Sequence, residues 1–159
     1  MTPKIVEVVL PPSRLVGVSC DFVGAMDPNS DAKQMIPPTW ERLLALTHAN
    51  NLDADWALGV MTISATPGKM SYTACVPGDA SGATPDGMVE VTFAGGTYVG
   101  CEHVGLLDSI GETTAWFYGQ YLPTAEHQIV AGPHLEIYDE RFSPHLESSI
   151  VTICAPISK

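Results

Sequence analysis

The sequence is poor in positive charge. Only 7 of its 159 residues are Lys or Arg, against 18 Asp or Glu, which gives a formal net charge of −11. This balance repels phosphate backbones and anionic lipid surfaces, and it attracts small cations. We therefore expect neither nucleic acid nor a membrane among the partners.

Long apolar segments are also missing. No apolar run reaches the roughly 18 residues of a membrane span, and no signal-peptide core follows Met1. This pattern predicts a cytoplasmic protein. With 45% hydrophobic and 16% charged residues, a single domain over residues 1–159 has enough apolar material to fill a core.

Metal and cofactor motifs are absent. The four cysteines, Cys20, Cys75, Cys101 and Cys154, form no C-x-x-C pair. Each lies in a predicted strand, where a reduced cysteine usually acts as a small core hydrophobe. There is also no G-x-S-x-G, G-x-G-x-x-G or H-E-x-x-H motif. We predict no metal and no cofactor, and leave Cys20 or Cys101 open as a nucleophile.

An internal repeat is present. Residues 6–18 match residues 89–101 at a constant offset of 83, with Val6 on Val89 and Gly17 on Gly100. Further along, residues 58–60 match 135–137 at an offset of 77, and 73–77 match 152–156 at 79. A repeat that keeps its order while its offset drifts across loops indicates a duplicated unit. The copies cover about residues 5–77 and 88–157.

Each copy predicts the order strand, helix, strand, strand. The first has strands over 14–21, 55–61 and 70–76, and a helix from Pro37-Pro38 to about Asn50. The second has strands over 97–103, 135–140 and 148–155, and a helix over 106–122. The long loop 24–36, which carries Met26, is interpreted as a pocket lid or as the contact of a homodimer.

Two such units predict an α+β fold with an antiparallel sheet, two helices on one side and a ligand groove between the halves. One unit cannot cover its own sheet, so the two must pack together. We expect the sheet face opposite the helices to be open and to carry the groove, because clefts between related halves often hold ligands.

One strand presents a lone acid. Along residues 135–140, alternation places Leu135 and Ile137 on the apolar face and His134, Glu136 and Tyr138 toward the groove. His134 and Glu136 could share a metal ion, but a third ligand is not evident. The plainer alternative for Glu136 is a solvated strand residue.

The residues facing this acid favour a site for a lipophilic cation. In the first copy the equivalent row is Gly59 and Met61, so a glycine stands opposite Glu136. A carboxylate walled by rings offers a charge partner together with cation–π attraction of about 0.5–2 kcal/mol. The candidate rings are Tyr72, Tyr98, Trp116 and Tyr138, with Trp56 as a further candidate.

Several short motifs resemble the GyrI-like small-molecule-binding domain. They are Pro37-Pro38 before Trp40, Leu58-Gly59-Val60, Gly95-Gly96-Thr97-Tyr98 leading to His103-Val104-Gly105, and Pro133-x-Leu135-Glu136-Ile137-Tyr138. The resemblance covers about residues 6–157. The same domain is the effector-binding part of AraC-type and MerR-type multidrug regulators, in which the matching glutamate meets cationic drugs in an aromatic pocket. This chain looks like a standalone form, because no residues remain for a helix-turn-helix domain.

The resemblance leaves three functions open. The first is binding of small lipophilic cations by Glu136. The second is hydrolysis of cyclopropane-bearing compounds, as in some standalone members, with Glu136 as general base assisted by Tyr138 or Tyr98. The third is a protein-interaction role, as in gyrase-inhibitory relatives.

Overall fold

The computed structural model describes residues 2–158. In this part of the chain one antiparallel sheet of eight strands carries helices on one face. The strands are β1 Lys4–Leu10, β2 Ser13–Phe22, β3 Ala57–Ile63, β4 Met70–Pro77, β5 Val89–Phe93, β6 Gly96–Val104, β7 His134–Tyr138 and β8 Ile150–Pro156. The α-helices are α1 Ala32–Ala49 and α2 Ile110–Trp116. The predicted α+β fold with two helices on one side is confirmed.

The strand pairing has an internal two-fold pattern. The sheet order is β1-β6-β8-β7-β3-β4-β2-β5, so the first strand of each half pairs with the second strand of the other. Val6 lies opposite Gly100 in one half, and Val89 lies opposite Gly17 in the other. These two pairs are related by the offset of 83 seen in the sequence. Each half has the order strand, strand, helix, strand, strand, so the predicted module lacked its first strand, β1 in one half and β5 in the other.

The two halves meet at the centre of the sheet, where β3 pairs with β7. In this pairing Gly59 lies directly opposite Glu136. Residues 59 and 136 are equivalent positions of the repeat, since they differ by the local offset of 77. The internal two-fold axis therefore passes through this pair. The predicted glycine-against-glutamate juxtaposition is therefore a feature of the fold.

The sheet face that carries Glu136 is the face covered by the helices, which corrects the expectation of an open groove on the other face. The opposite face is filled by a core of its own, in which Leu58, Leu135 and Cys154 are fully buried. The sheet curls around this core, because both edge strands contribute to it: Val8 and Leu10 from β1, and Val91 and Phe93 from β5.

Helix α1 begins at Ala32, five residues before the predicted start at Pro37, so the loop 24–36 is shorter than expected. The two prolines remove N–H groups that would bond to the carbonyls of Lys33 and Gln34. Both of these residues are exposed, and water can take the place of the missing donors. Prolines in the second turn are thus tolerated on the solvent side of the helix.

The second helical segment is irregular. A short 3₁₀ turn, Leu107–Ser109, leads into α2, which continues as a π-helical turn over Phe117–Tyr121 and ends in a 3₁₀ turn, Leu122–Thr124. The predicted helix 106–122 is present in position but not as one regular α-helix. Across residues 2–158, the helices are too short or too polar for a membrane span.

Candidate functional site

Glu136 lies in a groove between the α1 and α2 halves of the molecule. The Tyr72 hydroxyl donates a hydrogen bond of 2.7 Å to Oε1 of Glu136, and the Tyr138 hydroxyl donates one of 3.1 Å to the same oxygen. Trp40 of α1 donates from Nε1 to the Tyr72 hydroxyl at 2.9 Å. Burial and the nearby Glu136 raise the pKa of both tyrosines, so each phenol keeps the proton that it donates.

The second carboxylate oxygen of Glu136, Oε2, has a different environment from Oε1. Within residues 2–158, no side chain donates to Oε2 of Glu136 or forms an ion pair with its carboxylate, and Oε2 is not a sealed atom. Burial raises the pKa of Glu136, and the hydrogen bonds from Tyr72 and Tyr138 offset part of this rise. The site therefore holds a carboxylate with one fixed oxygen and one that faces the groove.

Gly59 makes room for this arrangement. The Tyr72 ring lies over it, and a Cβ at residue 59 would stand 2.6 Å from Cζ of Tyr72 and would overlap the hydroxyl. Tyr72 is fully buried and in contact with the rings of Phe22 and Trp40. It has no free space into which it could retreat.

We expect Gly59→Ala to destabilise the protein by about 1–3 kcal/mol, the usual cost of overpacking a tight core. Urea unfolding followed by tryptophan fluorescence measures this cost. Gly111→Ala is the matched control, because a Cβ there meets nothing within 4 Å and alanine favours the helix by up to about 1 kcal/mol. Equal midpoints for Gly59→Ala and wild type would contradict the assigned packing.

The α2 side of the groove presents a second polar pair. The hydroxyl of Tyr118, in the π-helical turn, lies 2.7 Å from Nδ1 of His134. His134 is on the same face of β7 as Glu136 and is the cross-strand partner of Met61. Burial lowers the pKa of His134 and raises that of Tyr118. Tyr118, His134 and Met61 are each only partly buried, unlike Tyr72.

The loop Val23–Asp31 reaches across this side of the groove. Its ends are tied together, because Asp31 accepts the N–H of Val23 at 2.7 Å and Ser30 donates to the Val23 carbonyl at 2.8 Å. A Cβ on Gly119 of the π-helical turn would stand 3.5 Å from Cε of Met26. The loop of the first half thus contacts the π-helical turn of the second half.

Five of the seven predicted site residues are together here: Gly59, Met61, Tyr72, Glu136 and Tyr138. Tyr98 lies on the opposite sheet face, where its ring is 6.3 Å from Phe93. Trp116 stacks on Tyr121 at 5.7 Å in the core beneath α2. The structure does not bring Tyr98 or Trp116 to Glu136. For Tyr98 the reason is the register, because Glu136 is level with Ile153 and Cys101, and Tyr98, three residues before Cys101, lies on the other face.

Trp56, the further candidate, lies elsewhere. It lines a surface cavity of about 500 Å³ together with Asp53, Asp55, Asp79 and Glu140. A second cavity, of about 340 Å³, lies between β2 and α1 beside Cys20. The Glu136 groove itself is occupied by rings of the protein, so a large ligand must displace side chains to reach it.

The other candidates have structural roles. Buried His103 lies 2.7 Å from the Thr113 hydroxyl and 2.9 Å from the Leu106 carbonyl, and so anchors the start of α2. Burial raises the pKa of Cys101 to about 12, which keeps its thiol protonated at neutral pH and argues against a nucleophile. No group of three or more His, Cys, Asp or Glu residues with metal-binding geometry occurs within 2–158.

Sequence reasoning missed two residues of the groove, Trp40 and Tyr118. Trp40 is part of the motif that begins at Pro37-Pro38, and nothing in that motif shows that its indole N–H reaches Tyr72. Tyr118 follows Phe117, which takes the core position of the predicted helix. Phe117 and Tyr118 both lie in a π-helical turn, which regular helical periodicity does not predict.

Solved structures share this fold over nearly the whole chain. SAV2435 bound to tetraphenylphosphonium has a TM-score of 0.75 at 23% identity, over 98% of this chain and 94% of that chain. A putative transcription regulation protein from Staphylococcus aureus MU50 has a TM-score of 0.65 at 22% identity, over 100% and 99%. A hydrolase from Listeria innocua has 0.51 at 15% identity, over 99% and 93%.

The sequence comparisons give the family. A search of curated proteins gives no match. The family model of the GyrI-like small-molecule-binding domain matches residues 1–158. The match spans the repeat, the groove and the strand that carries Glu136, and it agrees with the resemblance seen in the motifs. The chain is therefore a member of the GyrI-like small-molecule-binding family.

Proposed function

We propose that this protein binds small lipophilic cations, with Glu136 as the charge partner and the surrounding rings as the apolar wall. The observation that carries this proposal is the half-satisfied carboxylate. Tyr72 and Tyr138 both bond Oε1, while Oε2 faces the groove without a cationic side chain from residues 2–158 beside it.

The electrostatic balance of the site supports a cationic ligand. Burial raises the pKa of Glu136, and the hydrogen bonds from Tyr72 and Tyr138 and the nearby His103 offset only part of this rise. A bound cation supplies a further positive charge in a poorly screened environment. At an effective dielectric constant of about 20, two unit charges roughly 5 Å apart attract by about 3 kcal/mol.

The rest of the molecule is consistent with such a ligand. The net charge of −11 attracts cations at long range, and the rings of Trp40, Tyr72 and Tyr138 supply faces for cation–π contact. The structure of SAV2435 with tetraphenylphosphonium shows that a protein of this fold accepts a lipophilic cation.

Titration calorimetry with two ions of equal shape and opposite charge tests the proposal. We expect tetraphenylphosphonium to bind at least about 10-fold more tightly than tetraphenylborate, because only the cation pairs with Glu136. The preference must persist at about 0.5 M salt, since screening removes the long-range field but not a contact inside the groove. Equal affinities, or no binding of the cation, would refute the proposal.

Hydrolysis is the second candidate, and one observation favours it. A raised pKa and a free Oε2 are also the properties of a general base that activates water beside an electrophilic carbon. On that reading the substrate is a strained, cyclopropane-bearing compound. Product formed with time by wild type, and lost in Glu136→Gln, identifies an enzyme; saturable binding without product identifies a binder.

A further inference from the structure

We propose that the site recognises its ligands at two points, with Glu136 holding the cation and His134 donating a hydrogen bond to an acceptor group on the same ligand. This inference rests on the proposed function and narrows its ligand class. The preferred ligands are then lipophilic cations that carry a carbonyl or ether oxygen, rather than purely hydrocarbon onium ions.

The first step is the position of His134. It precedes Glu136 by two residues on β7, so both side chains leave the same face of the strand. Two strand residues span roughly 6–7 Å, which fixes the separation of the two side chains along the groove. An extended chain of a few carbon atoms covers that distance.

The second step is the proton on the imidazole. Tyr118 has one hydroxyl proton, and Nδ1 of His134, 2.7 Å away, is the acceptor that the structure gives it. We assign Tyr118 as the donor and Nδ1 as the acceptor, because a hydroxyl proton needs an acceptor and the structure gives the Tyr118 hydroxyl no other partner among residues 2–158. The remaining proton of the neutral imidazole must then lie on Nε2. His134 is therefore a hydrogen-bond donor at this atom.

The third step is the accessibility of Nε2. Among residues 2–158 no side chain or carbonyl accepts from Nε2 of His134, and the atom is not sealed from solvent. His134 and its cross-strand partner Met61 are both partly buried. The face of β7 that carries both side chains thus offers one accessible acceptor, Oε2 of Glu136, and one accessible donor, Nε2 of His134.

The fourth step is which side of the groove yields to a ligand. Tyr72 and Tyr138 are buried and held by their bonds to Glu136, whereas Tyr118, His134 and Met61 are partly exposed. Entry on the His134 side leaves Tyr72 and Tyr138 in place, so we place the acceptor-bearing part of the ligand on this side.

A pair of matched phosphonium ions tests the inference. Pentyltriphenylphosphonium and (4-oxopentyl)triphenylphosphonium share the cation and the chain, and differ by one ketone oxygen. We expect wild type to bind the ketone about 3- to 10-fold more tightly, the gain of one net hydrogen bond. In His134→Phe this ratio should fall to within about 2-fold of unity, while the pentyl compound keeps most of its affinity.

Two further variants complete the test. His134→Phe leaves the Tyr118 hydroxyl without its acceptor. If the single variant is unstable for this reason, the double variant His134→Phe/Tyr118→Phe removes the unpaired hydroxyl and takes its place in the test. His48→Phe, the same substitution at an exposed position of α1, should keep the ketone preference. Equal binding of the two compounds by wild type overturns this inference and leaves the proposed function intact. Failure to bind either compound or tetraphenylphosphonium overturns both.

Discussion

Replacing Glu136 with glutamine should lower the affinity for tetraphenylphosphonium by about 10- to 100-fold. The variant keeps an oxygen that accepts from Tyr72 and Tyr138, so its shape and hydrogen bonds change little. What it loses is the charge, worth roughly 1.5–3 kcal/mol in a partly desolvated site. Calorimetry with wild type and variant under the same conditions measures the loss.

The same substitution has a pH signature. Because burial raises the pKa of Glu136, wild-type affinity should fall as the pH drops toward the raised value, starting above the usual glutamate range. Below the pKa, the affinity should approach a tenfold loss per pH unit, since one proton competes with one cation. Glu136→Gln should lack this slope. His134 also charges on acidification, so the comparison between the two proteins isolates Glu136.

The stability of the folded protein should depend on pH in the opposite direction to the ligand affinity. A carboxyl with a raised pKa in the folded state makes the protein less stable as the pH rises from its unfolded pKa through its folded one. Without ligand, Glu136→Gln should therefore unfold at higher urea than wild type at neutral pH, and the gap should close in acid. A variant that both binds normally and is less stable would contradict the role given to Glu136.

The duplicated fold could be predicted because the amino-acid sequence itself contains a recognisable repeat. Gly17 and Gly100 each leave room for a close neighbour, and they occupy equivalent places in the two halves. The offset of 83 between them therefore identifies which strands correspond. The pairing of Gly59 with Glu136 follows in the same way, since a strand on the symmetry axis must meet its own copy.

The side of the sheet that holds the site could not be predicted. Alternation separates the two rows of β7 but does not say which row the helices cover, and both rows turn out to be enclosed. Leu135 and Ile137 are enclosed by the curl of the sheet, and Glu136 and Tyr138 lie beneath the helices. Tyr98 was a reasonable candidate by composition, but the register across β6, β8 and β7 places it on the sheet face opposite Glu136.

The other unpredicted feature is the π-helical turn that brings Tyr118 to His134. It depends on Phe117, which is fully buried, lies 5.9 Å from the Tyr121 ring in a stacked arrangement and 5.1 Å from the Tyr118 ring at an angle of 73°. Phe117 fills the core beneath this turn while the next residue faces the groove. Phe117 therefore supports both the π-helical turn and the side of the site formed by Tyr118 and His134.

We expect Phe117→Ala to lower the free energy of unfolding by about 3–5 kcal/mol, because it removes a large buried ring and leaves a cavity that the sheet cannot close. Phe117→Leu is the matched control and should cost less than about 1.5 kcal/mol. Urea unfolding monitored by circular dichroism gives both values. A loss below 1 kcal/mol for the alanine variant would mean that the turn does not rest on this ring.

The two substitutions also separate packing from recognition. If Phe117 holds the turn in place, its loss frees Tyr118 from a fixed position opposite His134, and the imidazole loses the partner that sets its proton on Nε2. Phe117→Ala should then bind pentyltriphenylphosphonium through Glu136 but show a reduced preference for the ketone analogue. Phe117→Leu, which keeps the core filled, should retain that preference. An unchanged ketone preference in a folded Phe117→Ala protein would show that Tyr118 is positioned without this anchor.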